Sequence, residues 1–143
     1  MAHDSSGAVA ALARLLAREA PGDVAAVYVF GSHAEGRAHR ESDLDVGALL
    51  RRDRHPTARA RFDAGVRLGA WLVAELRQPL VDLVVLNDAP PGLAARVVTR
   101  GVPVYVADAE LEHAFRRDAQ LRAADLAPSL RRTRRLKLDA LAR

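Results

Sequence analysis

Apolar residues at Val9, Leu12, Leu15 and Leu16 repeat with the period of one helical face, which predicts a helix over 7–20, with Asp4, Ser5 and Ser6 as candidate N-caps. "APGD" at 20–23 ends it, and the short apolar run Val24–Phe30 reads as a strand closed by glycine. Residues 33–42 form a polar loop, with room for a short helix after Ser32, before a second strand over Asp43–Leu50. After the charged connection "RRDRHPT" comes a long helix over 57–77. Phe62, Val66, Gly69, Val73 and Leu76 fall on one of its faces, expected to be the core face, with Leu68 and Leu72 flanking. Pro79 ends this helix, and Leu80–Leu86, the most hydrophobic run in the chain, reads as a third strand containing Asp82. "NDAPPG" is a turn, residues 92–100 a short helix closed by Gly101 at its C′ position, and Val102–Val106 a fourth strand, placed at an edge by Pro103. Residues 108–126 are helical, Pro128 interrupts, and 129–142 are helical again. The order predicts one α/β (α+β) domain over 1–143: a small mixed sheet of about four strands flanked by helices, with 108–143 as a C-terminal helical tail.

Composition narrows the class. Half the residues are hydrophobic but only 4% aromatic, so the core must be built from Ala, Val and Leu. There is no Cys, which removes disulfides and thiolate zinc sites, and no pair among the five His has helical zinc spacing. No apolar run approaches the ~20 residues that span a bilayer. The N-terminus lacks the pattern of a signal peptide, so the expected location is the cytoplasm. The net charge is −2 over residues 1–115 and +6 over 116–143. Lys137 is the only Lys, a bias that weakens any argument from Arg content alone. The run "RRTRRLK" at 131–137 has no interleaved aromatics, which argues against nucleic acid as a direct partner and for a solvated face or an acidic protein surface. Leu121, Leu126, Leu130, Leu136, Leu138 and Leu141 either pack on the domain's own sheet or, from Ser129 onward, help dock a partner. Trp71 is read as core or partner surface, and His33 and His39 as solvated loop residues.

The chemistry concentrates in "VFGSHAEGRAHRESDLDVGALL", Val29–Leu50. Asp43 and Asp45 are two apart on a strand, so their side chains share a face, about 6–7 Å apart along the rise. Two such carboxylates repel unless a cation sits between them, and Mg²⁺ is the usual one where phosphates are also bound. Asp82 lies inside an apolar strand, where an unpaired carboxylate is costly. If that strand lies beside the second, three carboxylates can hold two Mg²⁺ ions for in-line displacement at phosphorus. Gly31 lets backbone approach a phosphate closely, and Ser32 adds a hydroxyl donor.

"GSHAEGRAHRESDLDV" resembles the signature of the polymerase β nucleotidyltransferases: Gly-Ser, ten residues, Asp-x-Asp, then a third Asp on a later strand. The likeness is closest to the minimal nucleotidyltransferases, which are often paired with HEPN-domain toxins, and it runs from the first helix to the tail, including "LAARVVTRGVPVYVAD". The resemblance implies that fold. It also implies that Gly31 and Ser32 bind nucleotide phosphates, that Asp43, Asp45 and Asp82 bind metal, and that Asp82 completes the site and serves as base. It further implies ATP as substrate, transfer of AMP to a protein hydroxyl such as a Tyr of a HEPN toxin, and a hetero-oligomer with that toxin. A non-catalytic antitoxin and a small-molecule adenylyltransferase are the alternatives. Family loops often carry Arg where this chain has His33 and Glu35, with Arg37 and Arg40 as nearby positive charges.

Overall fold

The computed structural model describes residues 5–36, 43–77 and 80–142, with backbone alone for 5–6, 127–131 and 133–142. The chain runs α1 (Ser5–Glu19), β1 (Val24–Phe30), β2 (Leu44–Leu50), α2 (Ala58–Leu76), β3 (Val81–Val85), a 3₁₀ turn over Leu86–Asp88, α3 (Pro91–Arg100), β4 (Val102–Val106) and α4 (Ala109–Ala142). The four strands form one mixed sheet in the order β3-β2-β1-β4. β1 pairs antiparallel with both β2 and β4, while β2 and β3 run parallel across the α2 crossover. β4 is an edge strand, where Pro103 is tolerated.

Both faces of the sheet are covered, so the central strands are buried almost throughout and read as continuous apolar runs rather than alternating ones. On one face, Val27 and Val29 of β1 and Leu44, Val46 and Ala48 of β2 meet Leu12, Leu15 and Leu16 of α1 and Leu68 and Leu72 of α2. Trp71 packs partly buried against this cluster. On the other, Tyr28 and Leu49 meet Val97 and Val98 of α3 and Ala119 of α4. The fully buried Tyr28 hydroxyl donates to the Glu112 carboxylate, and Arg116 bonds Glu112 at 2.6 Å and Tyr28 at 3.0 Å, which anchors α4 to the sheet centre. Burial, reinforced by Glu112, pushes the Tyr28 phenol up to about 12.

Three expectations are corrected. The first concerns α2, which seats itself by Ala64, Gly65, Leu68 and Leu72; Phe62 and Val66 are 64% and 58% exposed, and Val73 also faces outward. Both stripes have a helical period, so periodicity could not choose between them. Small residues decide: Gly65 lies so close to β3 that an added Cβ would stand 2.7 Å from Val85 Cγ2. The outward stripe and β3 together line an open groove of about 740 Å³. Leu72→Ala should therefore cost about 2–5 kcal/mol in stability, while Phe62→Ala should stay within about 0.5 kcal/mol, as read by urea unfolding.

The second correction is at Pro128, which does not interrupt the tail: α4 is continuous from Ala109 to Ala142. The missing N–H costs one turn's hydrogen bond, and the Ala-, Leu- and Arg-rich flanks have propensity enough to carry the helix past it. Leu121 and Leu126 are exposed on it, whereas the docking role expected of Ser129–Arg143 rests on side chains outside those described. The third correction is at Gly101, which caps α3 in an extended rather than left-handed conformation. Its role is close packing, since a Cβ there would collide with the Val97 carbonyl and stand 3.0 Å from that of Val29.

An ion pair between the buried Arg61 and the partly exposed Asp88 fixes α2 to the end of β3. Arg61 forks onto both Asp88 oxygens at 2.8 and 2.9 Å and donates to the His55 carbonyl at 3.0 Å. The Arg61 hydrogen bonds hold the Asp88 carboxyl below its ordinary value. Such a contribution is fully present above the unfolded carboxylate value of about 4 and is lost as the pH falls through the folded one. Arg61→Leu should cost about 2 kcal/mol at neutral pH, discounted for the partly exposed Asp88. The gap to wild type in thermal melts should narrow once the pH drops below about 4.

Candidate active site

The parallel register of β2 and β3 pairs Leu44 with Val81 and Asp45 with Asp82, so the two carboxylates stand side by side on neighbouring strands. Val81, Leu83 and Val85 pack against the α1/α2 core, which directs Asp82 to the opposite face, the one Asp45 shares with Gly47. Asp43 immediately precedes β2 and is exposed; Asp45 is half-buried; Asp82 is exposed on the edge strand. Burial first, then the Asp82 and Asp43 carboxylates, raise the Asp45 carboxyl above its ordinary value, and His33 pulls it partly back. His33, expected to be solvated, is 9% exposed and faces this cluster. His39, Arg37 and Arg40 lie outside the described residues.

β1 delivers the loop to the same place, because Phe30 pairs with Asp45. The next residue, Gly31, turns the chain with φ of 70°, a left-handed conformation that favours glycine. A Cβ at Gly31 would collide with the Asp45 carboxylate oxygen. Glycine is thus required twice there, for the turn and for the contact. The expected short helix after Ser32 is a run of turns over 31–36, with the Glu35 N–H on the Gly31 carbonyl at 3.1 Å.

The carboxylates share a face and a field, but among the described residues no three His, Cys, Asp or Glu side chains close around one point as they stand. The donor set still fits a hard divalent cation: it is all oxygen and negatively charged, and repulsion from Asp82 and Asp43 adds to burial in raising Asp45. Beside it opens a cavity of about 210 Å³. Gly31 and Asp45 form one side, Phe30 and Leu93 supply apolar wall, and Arg96 and Arg100 of α3 line it as well. Sequence reasoning placed this helix but missed Arg96 and Arg100 as residues of the site. The available signal was two Arg four apart on a helix ending at Gly101, whose neighbour β4 pairs with the end of β1.

Among the described residues no helix is long and apolar enough to cross a membrane. A family model described as Polymerase beta, Nucleotidyltransferase matches residues 12–110, from α1 into α4. The protein adenylyltransferase MntA of Shewanella oneidensis is 35% identical over 79 residues, covering 55% of this chain and 52% of that protein. The chain thus spans about half the length of the curated relative it matches. Two solved structures share the fold. A toxin–antitoxin with AMP-PNP superposes with a TM-score of 0.57 at 24% identity over 94% of this chain and 98% of that one. A chain of the tri-AMPylated Shewanella oneidensis HEPN toxin in complex with MNT antitoxin gives 0.57 at 21% identity over 97% and 99%. With the Gly31 turn pressed on Asp45, Asp82 in register beside it, and a family match across most of the chain, the protein belongs to the polymerase beta nucleotidyltransferase family.

Proposed function

We propose that this chain transfers AMP from ATP to a hydroxyl of a partner protein, in the manner of an antitoxin that silences a HEPN-type toxin. The observation that supports the reading is the packing of Gly31 against Asp45 with Asp82 alongside, an arrangement that would let a phosphate approach carboxylates sharing one face. The relative's name, a protein adenylyltransferase, and the AMPylated HEPN toxin bound to a structural neighbour support the choice of donor and acceptor.

In this reading Gly31 leaves room for the triphosphate and the Ser32 hydroxyl donates to it. Asp43, Asp45 and Asp82 would hold Mg²⁺, two ions in this scheme, which supplies neutralisation of the triphosphate and acidity for the attacking hydroxyl. The acceptor oxygen attacks the α-phosphorus in line. A new O–P bond forms, the bond from the α-phosphorus to the bridging oxygen breaks, and pyrophosphate leaves. Asp82, exposed on its edge strand, takes the acceptor proton. Catalysis is then chiefly positioning and electrostatics. A tyrosine of the HEPN-type partner is the proposed acceptor, the two chains form a hetero-oligomer, and the reaction runs in the cytoplasm. Intact-mass spectrometry of such a partner, incubated with this protein and Mg·ATP, tests the reading. Whole AMP adducts that vanish with chelator are expected; an unmodified partner would count against it.

A further inference from the structure

We propose that Arg96 and Arg100 of α3 form the cationic wall of the triphosphate site and bind the β- and γ-phosphates that leave as pyrophosphate. This assignment rests on the nucleotidyl-transfer reading and adds to it residues outside the Gly-Ser and Asp-x-Asp signature. The two Arg are four apart, so their side chains project from one face of α3, and both line the cavity that Gly31 and Asp45 border.

Neither Arg side chain makes an ion pair or hydrogen bond with a described residue, unlike Arg61 and Arg116, whose guanidinium groups are committed to Asp88 and Glu112. Cations in the last turn of a helix also favour its dipole. That effect accounts for a basic residue near the end of α3 but not for two of them bordering the carboxylate cluster. Charge supplies the further reason. Asp43, Asp45 and Asp82 carry negative charge already, Glu35 lines the same cavity, and a nucleoside triphosphate adds more than paired divalent cations remove. The loop carries His33 and Glu35 rather than Arg beside Gly31. Guanidinium groups are the side chains best suited to bind phosphate oxygens in pairs, and here they come from α3. Phe30 and Leu93 are apolar wall of the same cavity and Glu35 and Asp45 are acidic, so its cationic side chains are Arg96 and Arg100.

The test is titration calorimetry of the intact protein with Mg·ATP, Mg·tripolyphosphate and AMP, comparing wild type with Arg96→Gln/Arg100→Gln. Both residues are exposed, so the double variant should melt with the wild type. The double variant should bind Mg·ATP and Mg·tripolyphosphate about 10- to 100-fold more weakly, from two lost charge-assisted contacts, and AMP within about twofold. Arg96→Lys/Arg100→Lys should recover part of the loss, since charge returns without the fork. Unchanged affinity for Mg·ATP in the Gln variant overturns the assignment and leaves the proposed reaction standing. Equal weakening toward AMP and the triphosphates overturns it too, because the Arg pair would then serve the whole pocket. If wild type binds Mg·ATP and the Gln variant loses it, yet no protein acceptor is modified, the phosphate assignment holds and the acceptor reading fails.

Discussion

Gly31→Val should leave a folded protein that no longer binds Mg·ATP measurably. Gly31 sits at φ of 70°, where a β-branched residue is strained, and the side chain would be driven into the Asp45 carboxylate. Either the loop retreats from β2 or Asp45 rotates away, and in both cases phosphates and carboxylates lose their common centre. Strain of about 1–2 kcal/mol and overpacking of about 1–3 kcal/mol act on the same few atoms, enough for a loss of order 10²-fold or more in affinity. Gly31→Ala should follow the same direction less severely, since its single methyl meets the same oxygen. Ser32→Ala removes one hydroxyl donor and should cost about 1–2 kcal/mol, roughly tenfold. Titration calorimetry with Mg·ATP checks the series, and wild-type affinity in Gly31→Val would remove Gly31 from the site.

The second large effect is expected at Asp45. Asp45→Asn keeps the size of the side chain and removes the charge at the centre of the cluster, flanked by Asp82 in register and Asp43 two residues before. Nucleotide transfer should fall by about 10³-fold or more, the equivalent of about 4 kcal/mol of transition-state stabilisation. Stability should move the other way in chelator. Burial and neighbouring carboxylates raise the Asp45 carboxyl above its ordinary value, so ionising it costs the folded chain some stability. Replacement by Asn relieves that cost, and the melting temperature should be unchanged or slightly higher. A variant that unfolds would mark Asp45 as a structural residue instead.

Much of this geometry is legible along the chain. The limits of β1 and β4 follow from short apolar runs bounded by glycine, proline and charge, and the Asp-x-Asp spacing on β2 fixes a shared face without any tertiary information. The register that sets Asp82 beside Asp45 is not legible, because the pairing of β2 with β3 is made across the α2 crossover. The same holds for α2, where Phe62–Val66–Val73 and Ala64–Leu68–Leu72 are equally helical stripes and the close approach of Gly65 to Val85 selects the second. Arg96 and Arg100 look like ordinary solvated cations until the Gly101 contact with the Val29 carbonyl brings the end of α3 to the end of β1. His33 reads as loop, yet in the turns after Gly31 it is 9% exposed and near enough to Asp45 for its charge to act there.

The central claim is that one face of β2 and β3, with the Gly31 turn, is the reacting centre for AMP transfer. Its most direct test is ATP labelled at the α-phosphate, incubated with a HEPN-type partner and either wild type, Asp45→Asn or Asp82→Asn, with label counted on the partner after denaturation. Label should accumulate with wild type in Mg²⁺ and stay at background with either variant; label transferred equally well by Asp45→Asn would contradict the assignment of this face.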